Sequence, residues 1–233
     1  MIVLVILVAV ALVAVWTVRK KDHWIRFFRT LKPSIIKENY REVMRKGART
    51  DRDGVISYSL YGNYEKYLPQ LLNNLEAVRD RLPRFQARVY LAHTIPPEVR
   101  ARMLELGAEV VVMPALPGHG GALWRFLPGT EGLTFVSLDA DDTFDCEESV
   151  RQWMQSDNPF LLLFHGGRLI PMKAGLWGAR GGVLLDIQER MEKWQGNWYG
   201  YDEEFLKKEI YPLVKRSGYF NSNILASSPY KQI

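Results

Sequence analysis

Phe135-Val136-Ser137-Leu138-Asp139-Ala140-Asp141-Asp142 is the stretch on which the reading of this chain turns. A short apolar run rich in aromatic and branched residues reads as a buried strand. It ends in three carboxylates, and open α/β sheets place their ligands at the carboxyl ends of strands. Asp139 and Asp141 are two apart, so on a regular strand they share a face, and at its end both can turn toward one point. Two hard oxygen donors at one point suit Mg²⁺ or Mn²⁺, ions that take one or two protein carboxylates and complete their shell with phosphate oxygens. A solvated acidic turn after a strand is the plainer alternative for an isolated D-x-D.

On either side of this stretch, strand and helix patterns alternate. Val55–Leu60 reads as a strand, broken at Gly62-Asn63. Tyr64–Arg81 carries Tyr67, Leu71, Leu75 and Val78 at helical spacing, with Pro69 in its early part, where proline is best tolerated. Ala87–Ala92 is a second strand, Pro96–Leu106 a helix closed by Gly107, and Glu109–Met113 a third strand. A Gly/Pro loop (Pro114–Gly121) and a helical stretch (Ala122–Leu127) lead to the strand bearing Asp139. Beyond it lie a helix (Cys146–Gln155), an apolar strand (Phe160–Phe164), a Gly-rich section, and helical stretches over Val183–Trp194 and Asp202–Val214. The alternation predicts an α/β fold, a mostly parallel sheet with helices on both faces.

The amino end differs in composition. Met1–Val18 is apolar throughout and uncharged. As a helix it spans ~27 Å, close to the ~30 Å hydrocarbon core of a bilayer. A cleaved signal peptide is the competing reading, but there is no basic n-region and no small-x-small site before Arg19. Trp16 suits an interfacial aromatic, and Arg19, Lys20 and Lys21 follow at once, so the charge bias predicts a single-pass anchor with the body cytoplasmic. Residues 19–52 hold twelve Lys/Arg against four Asp/Glu; from a total of +5, residues 53–233 keep −3. The basicity therefore belongs to the juxtamembrane stretch. Anionic headgroups are its simplest partner, and Trp24, Ile25, Phe27, Phe28 and Leu31 among basic residues suggest a helix lying on the bilayer as far as Pro33. No nucleic-acid-binding motif accompanies the charge, so no nucleic-acid partner is expected. The expected organisation is an anchor over 1–18, a basic linker over 19–53 and a catalytic domain over 54–233. The single Cys146 excludes a disulfide framework and any cysteine-based metal site.

Five short motifs occur in one order: Ser59-Leu60-Tyr61-Gly62, Leu123-Trp124-Arg125-Phe126, Asp139-Ala140-Asp141, Gly175-Leu176-Trp177-Gly178, and Tyr201-Asp202-x-x-Phe205-Leu206 followed by Ile210-Tyr211-Pro212. Together they resemble the small GT-A glycosyltransferase domains of large chlorella viruses and of some bacterial polysaccharide loci, over roughly residues 54–215. The resemblance implies a Rossmann-like GT-A sheet, a UDP- or GDP-sugar donor, Mn²⁺ or Mg²⁺ on Asp139 and Asp141, and transfer of a hexose to a hydroxyl of a glycan or glycolipid acceptor. The donor site it implies takes in Ser59, Leu60, Tyr61, Gly62, Arg125, Asp139, Ala140, Asp141, Trp177 and Gly178.

The chemistry agrees with that implication. A departing nucleoside diphosphate gathers negative charge, which a metal on Asp139 and Asp141 neutralises as a Lewis acid. Arg125 could add a bidentate phosphate contact, against the plainer view of a solvent-facing arginine on a short helix. Tyr61 could carry a nucleoside on its ring. Asp202 and Glu203 open a helix, where carboxylates are favoured by the dipole alone; if the enzyme inverts, Asp202 is the first candidate for general base. The family pattern also has an Arg before the D-x-D, a Ser after it, an Arg-Asp-His-Pro stretch after the next strand, and a late His as a further metal ligand. Here those places hold Leu138, Asp142 and Phe164-His165-Gly166-Gly167, and no His follows His165. Asp142 or His165 substitutes, water fills the position, or metal binding is weakened.

Two other classes fit parts of the pattern. Asp139-Ala140-Asp141-Asp142-Thr143 resembles the D-x-D-x-T of haloacid-dehalogenase-type Mg²⁺ phosphatases, in which the first Asp is the nucleophile. That fold begins with this strand, whereas here some 85 residues of alternating strand and helix, from Gly54 on, precede the D-x-D. A catalytically degenerate, membrane-tethered nucleotide-sugar-binding scaffold is the non-enzymatic alternative.

Overall fold

The computed structural model describes residues 52–114, 116, 118–164, 172–194 and 196–223. The anchor expected over Met1–Val18, nearly all of the linker over 19–53, and His165 lie outside the described residues. Among those described, no helix is long and apolar enough to cross a membrane.

Seven strands form one sheet, β1 (Gly54–Leu60), β2 (Phe85–Ala92), β3 (Glu109–Met113), β4 (Phe135–Leu138), β5 (Phe160–Phe164), β6 (Leu176–Ala179) and β7 (Phe220–Asn223), in the order β3-β2-β1-β4-β6-β5-β7. Pairing is parallel at β3-β2, β2-β1, β1-β4 and β5-β7, and antiparallel on both sides of β6. The sheet is therefore mostly parallel, as expected, and β1, β2, β4 and β6 are almost wholly buried, as strands covered on both faces must be.

Register sorts the side chains. Val55 lies beside Phe135 and Phe135 beside Ala179, while Ser57, Ser137 and Trp177 form the next row. That face packs against Leu123, Phe126, Phe205, Leu206 and Ile210. The row Ile56, Val136, Gly178 points the other way, where a β-carbon on Gly178 would come within 3.3 Å of the Trp153 ring and 2.6 Å of the Phe135 carbonyl oxygen. Helix α1 (Tyr64–Arg81) crosses β1 and β2, with Leu71, Leu75 and Val78 buried. Helix α2 is Pro97–Glu105, and α3 is Glu147–Gln155.

Besides the edge strand β7, which the sequence reading lacks, four elements differ from it. Ala122–Leu127 lies within a longer 3₁₀ segment, Gly120–Glu131, stopped by Gly132 at φ 72°. The Gly-rich section contains β6, whose four residues are too few to show a period. Helix α4 is only Ile187–Lys193, preceded by turns. Asp202–Val214 is a run of α5 (Tyr201–Phe205), a π turn (Leu206–Ile210) and α6 (Tyr211–Ser217). Pro212 supplies no N–H for a bond to the preceding turn, which is tolerated at the start of α6 and would weaken a continuous helix through this point.

Candidate active site

The carboxyl ends of β1 and β4, the 3₁₀ segment and the start of α5 meet at one buried arginine. Arg125 is 5% exposed, so the solvent-facing alternative does not hold. Its backbone N–H donates to Ser59 Oγ at 3.1 Å, tying the 3₁₀ segment to the end of β1. One guanidinium nitrogen is ion-paired with Asp139 Oδ1, and the other donates to Asp202 Oδ2 at 2.8 Å. The first carboxylate of the D-x-D and the candidate base, 63 positions apart, thus share one cation. Arg125 Nε is buried and has no hydrogen-bond partner among the described residues.

The carboxylates differ in access. The Asp139 side chain is 37% exposed and that of Asp202 13%. Asp141 is exposed. Gly175 continues the ladder past the Leu138–Leu176 pair, and a β-carbon there would lie 2.1 Å from Asp139 Oδ2 and 2.7 Å from the Asp139 amide nitrogen. Only glycine leaves the cradle in which the Asp139 carboxylate rests. Ser137 Oγ donates to the Ala174 carbonyl at 2.7 Å and holds that segment in place. Among the described residues no three His, Cys, Asp or Glu side chains cluster as a complete metal cage. Two adjacent carboxylates that keep solvent access fit the class of divalent ion that completes its shell with water and phosphate.

Tyr61 borders the same point. Burial pushes its phenol up to about 12; Arg125 pulls the other way, and Asp202 and Asp139 push up further. The hydroxyl therefore keeps its proton and is a donor at neutral pH. The Tyr61 ring meets Trp124 edge-on at 6.0 Å and His119 at 6.4 Å, and His119 meets Tyr199 at 5.6 Å. Two loops cross here. His119 N–H donates to the Asn197 carbonyl at 3.0 Å, and Tyr201 O–H to the Gly120 carbonyl at 2.8 Å. Gly118, at φ 58°, passes so close that a β-carbon would sit 2.5 Å from Asn197 O. Trp198 and Tyr199 stay 48% and 88% exposed.

No protein-family model matches the chain, and no curated protein matches it. Among solved structures it is similar to S. aureus TarS 1–349 in complex with UDP, at 14% identity and a TM-score of 0.49 over 74% of this chain and 60% of that one. It is also similar to the mannosyltransferase PcManGT from Pyrobaculum calidifontis in complex with GDP-Man and Mn²⁺, at 12% identity and a TM-score of 0.49, over 84% of this chain and 65% of that one. A third is glucosyl-3-phosphoglycerate synthase from Mycobacterium tuberculosis in complex with phosphoglyceric acid, at 18% identity and a TM-score of 0.45, over 77% and 73%. At TM-scores below 0.5 these likenesses carry no argument about this chain; its own geometry does.

That geometry brings together Ser59, Tyr61, Arg125, Asp139 and Asp202. Gly62 turns the chain away from β1 at φ 62° and faces open space. Four expected donor-site residues are placed otherwise. Leu60 and Ala140 are buried. Trp177 has no exposed surface and packs edge-on between Phe126 (5.2 Å) and Phe135 (5.1 Å), and Gly178 is confined between Phe135 and Trp153. These four residues are buried, with Ala140 keeping 7% exposure beside Asp139. Glu203 starts α5 beside Asp202, and its N–H donates to Asp202 Oδ1 at 3.0 Å. The Arg125 bridge between two carboxylates could not be found by sequence reading, because nothing local marks Arg125 as buried.

Proposed function

We propose that this chain is a glycosyltransferase that moves a sugar from a UDP- or GDP-sugar to a hydroxyl of a glycan or glycolipid acceptor. The observation that carries the proposal is the Arg125 bridge between Asp139 and Asp202 at the carboxyl edge of the sheet. In the reaction the bond from the anomeric carbon to the diphosphate oxygen breaks, a bond from the acceptor oxygen forms, and the acceptor proton must go to a base. Asp202 is that base: it borders Tyr61 and is oriented by Arg125 at 2.8 Å. Asp139 and Asp141 would hold Mn²⁺ or Mg²⁺, which when bound supplies Lewis-acid neutralisation of the leaving diphosphate. Arg125, already positively charged and fixed in place, stabilises the same developing charge without reorganising. Tyr61 donates its hydroxyl proton at the rim, and its ring, with His119, walls the donor side. The uncharged run Met1–Val18 and the basic residues after it support a single-pass anchor that keeps the domain on the cytoplasmic face, beside its lipids.

The test is a hydrolysis screen of the full chain in detergent across UDP- and GDP-sugars, with and without Mn²⁺, beside a phosphomonoester panel. Release of UDP or GDP from at least one donor is expected. Phosphate release from a monoester alone would overturn the proposal in favour of a phosphatase, and stoichiometric binding without turnover would leave a scaffold.

A further inference from the structure

Helix α1 buries Leu71, Leu75 and Val78, which are apolar, and in the same row Asn74, which is not. Asn74 is 1% exposed. Burying a carboxamide is costly unless its polar atoms are bonded, and both of them are. Asn74 Nδ2 donates to the Asp142 carbonyl at 2.7 Å, and Oδ1 accepts from the Phe144 N–H at 3.0 Å. The Asp142 carbonyl can only accept and the Phe144 N–H can only donate, which fixes which way the amide faces, and one turn back Gln70 Nε2 donates to the same Oδ1 at 2.9 Å. The carbonyl of one residue and the N–H two residues on are what a strand offers to a single residue of a parallel neighbour. The Asn74 amide reads residues 142–144 as such a neighbour would. Those residues follow directly on Asp141. Before Asp141, Ala140 is buried, and after it Phe144 is buried, so the exposed Asp141 stands between two fixed points.

We infer that Asn74 is a positioning residue for the carboxylate loop: from the far side of the sheet edge it sets the direction of Asp141 relative to Asp139, and so the affinity of the pair for a divalent ion. This rests on the metal reading proposed above. A hydrophobic residue at 74 would pack as well or better, so packing does not account for the asparagine.

The experiment uses the full chain in detergent with Asn74→Asp, which keeps the acceptor for Phe144 but loses the donor to Asp142, and Asn74→Leu, which loses both. Val78→Ala, one turn further on the same buried row, is the control for stability alone. Mn²⁺ affinity is read by titration of the free ion's paramagnetic signal, and loop order by hydrogen exchange of residues 139–146 without metal. Both Asn74 variants should bind Mn²⁺ about 10–100-fold more weakly and exchange the Phe144 amide faster, whereas Val78→Ala should lower the melting temperature and change neither. Asn74→Asp, the smaller change, carries the test alone should Asn74→Leu fail to accumulate. Mn²⁺ affinity within twofold of wild type in the Asn74 variants, or an equal loss in Val78→Ala, overturns the role of Asn74. A wild-type chain that binds no Mn²⁺ overturns the metal reading itself.

Discussion

Among the described residues, two buried arginines each bridge two carboxyl groups, and their surroundings differ. Arg88, on β2, donates Nε to Glu109 at 2.7 Å and an NH group to Glu131 at 2.5 Å. Arg125 holds Asp139 and Asp202. Arg88 lies in register with Ser57 and Glu109, at mid-length of β2 and β1 and at the first residue of β3, while Arg125 bonds Ser59 near the carboxyl end of β1. Both partners of Arg88 are nearly sealed, at 7% and 11% exposure, and so is Asp202 at 13%, whereas Asp139, the other partner of Arg125, reaches solvent at 37%. The same arrangement of one guanidinium and two carboxyl groups is enclosed at Arg88, and at Arg125 it leaves one carboxylate open to solvent, as the proposed site requires. Burial of an ion pair is weak evidence of function by itself. Access to the carboxylates, at the edge where sheets bind ligands, separates the two.

That comparison breaks first at the base. Asp202→Asn should lower glycosyl transfer by ~10²–10⁴-fold while donor affinity, read by titration with UDP or GDP, stays nearly unchanged. Glu203→Gln shares the helix-terminus effect but points about 100° away around the helix, and should be close to silent. If Glu203→Gln proves the more damaging, the two roles are exchanged. Next, Arg125→Gln should reduce turnover by ~10²–10³-fold, measured as kcat at saturating donor. Wild-type turnover in that variant would make Arg125 a brace like Arg88.

The mirror experiment is on the brace. Arg88→Met leaves Glu109 and Glu131 buried without their cation and should cost about 3–5 kcal/mol in urea unfolding, with kcat per folded molecule unchanged. A selective loss of turnover would join the two clusters into one machine. The smallest effect is in pH. Burial pushes Glu131 up to about 8, against the pull of the guanidinium beside it. A carboxyl raised in the folded state contributes stability that is complete below its unfolded value, near 4.5, and is lost as pH rises through about 8. Each unit of such a rise is worth about 1.4 kcal/mol; with Arg88 offsetting part, a fall on the order of 1–2 kcal/mol is expected. Urea midpoints from pH 6 to pH 9 should show it, and Glu131→Gln should flatten the profile.

The β-α alternation, the strand ending in Asp139, helix α1 and the extent of β1 were legible because each has a local period or a stop signal that neighbouring residues supply. Antiparallel β6, edge strand β7 and the 3₁₀ segment were not: four-residue strands carry no measurable period, and the segment's apolar run suits a helix of either pitch. The motif Gly175-Leu176-Trp177-Gly178 pointed to the right place for a different reason from the one expected. Gly175 makes room for the Asp139 carboxylate, and Trp177 fills the core beneath it.

By itself the sequence determined the fold class, the position of the carboxylate pair, the divide between a basic amino end and a faintly acidic body, and which helix opens with Asp202. Those are properties of composition, spacing and strand ends, which a chain carries whatever its neighbours are. Tertiary structure alone decided that Arg125 is buried and shared, that Asn74 reaches residues 142–144, and that Arg88 and Arg125 stand in opposite kinds of place. Each is a contact between residues at least 14 positions apart, and the free energy of burying a charge or an amide is fixed by whatever partner the fold brings to it.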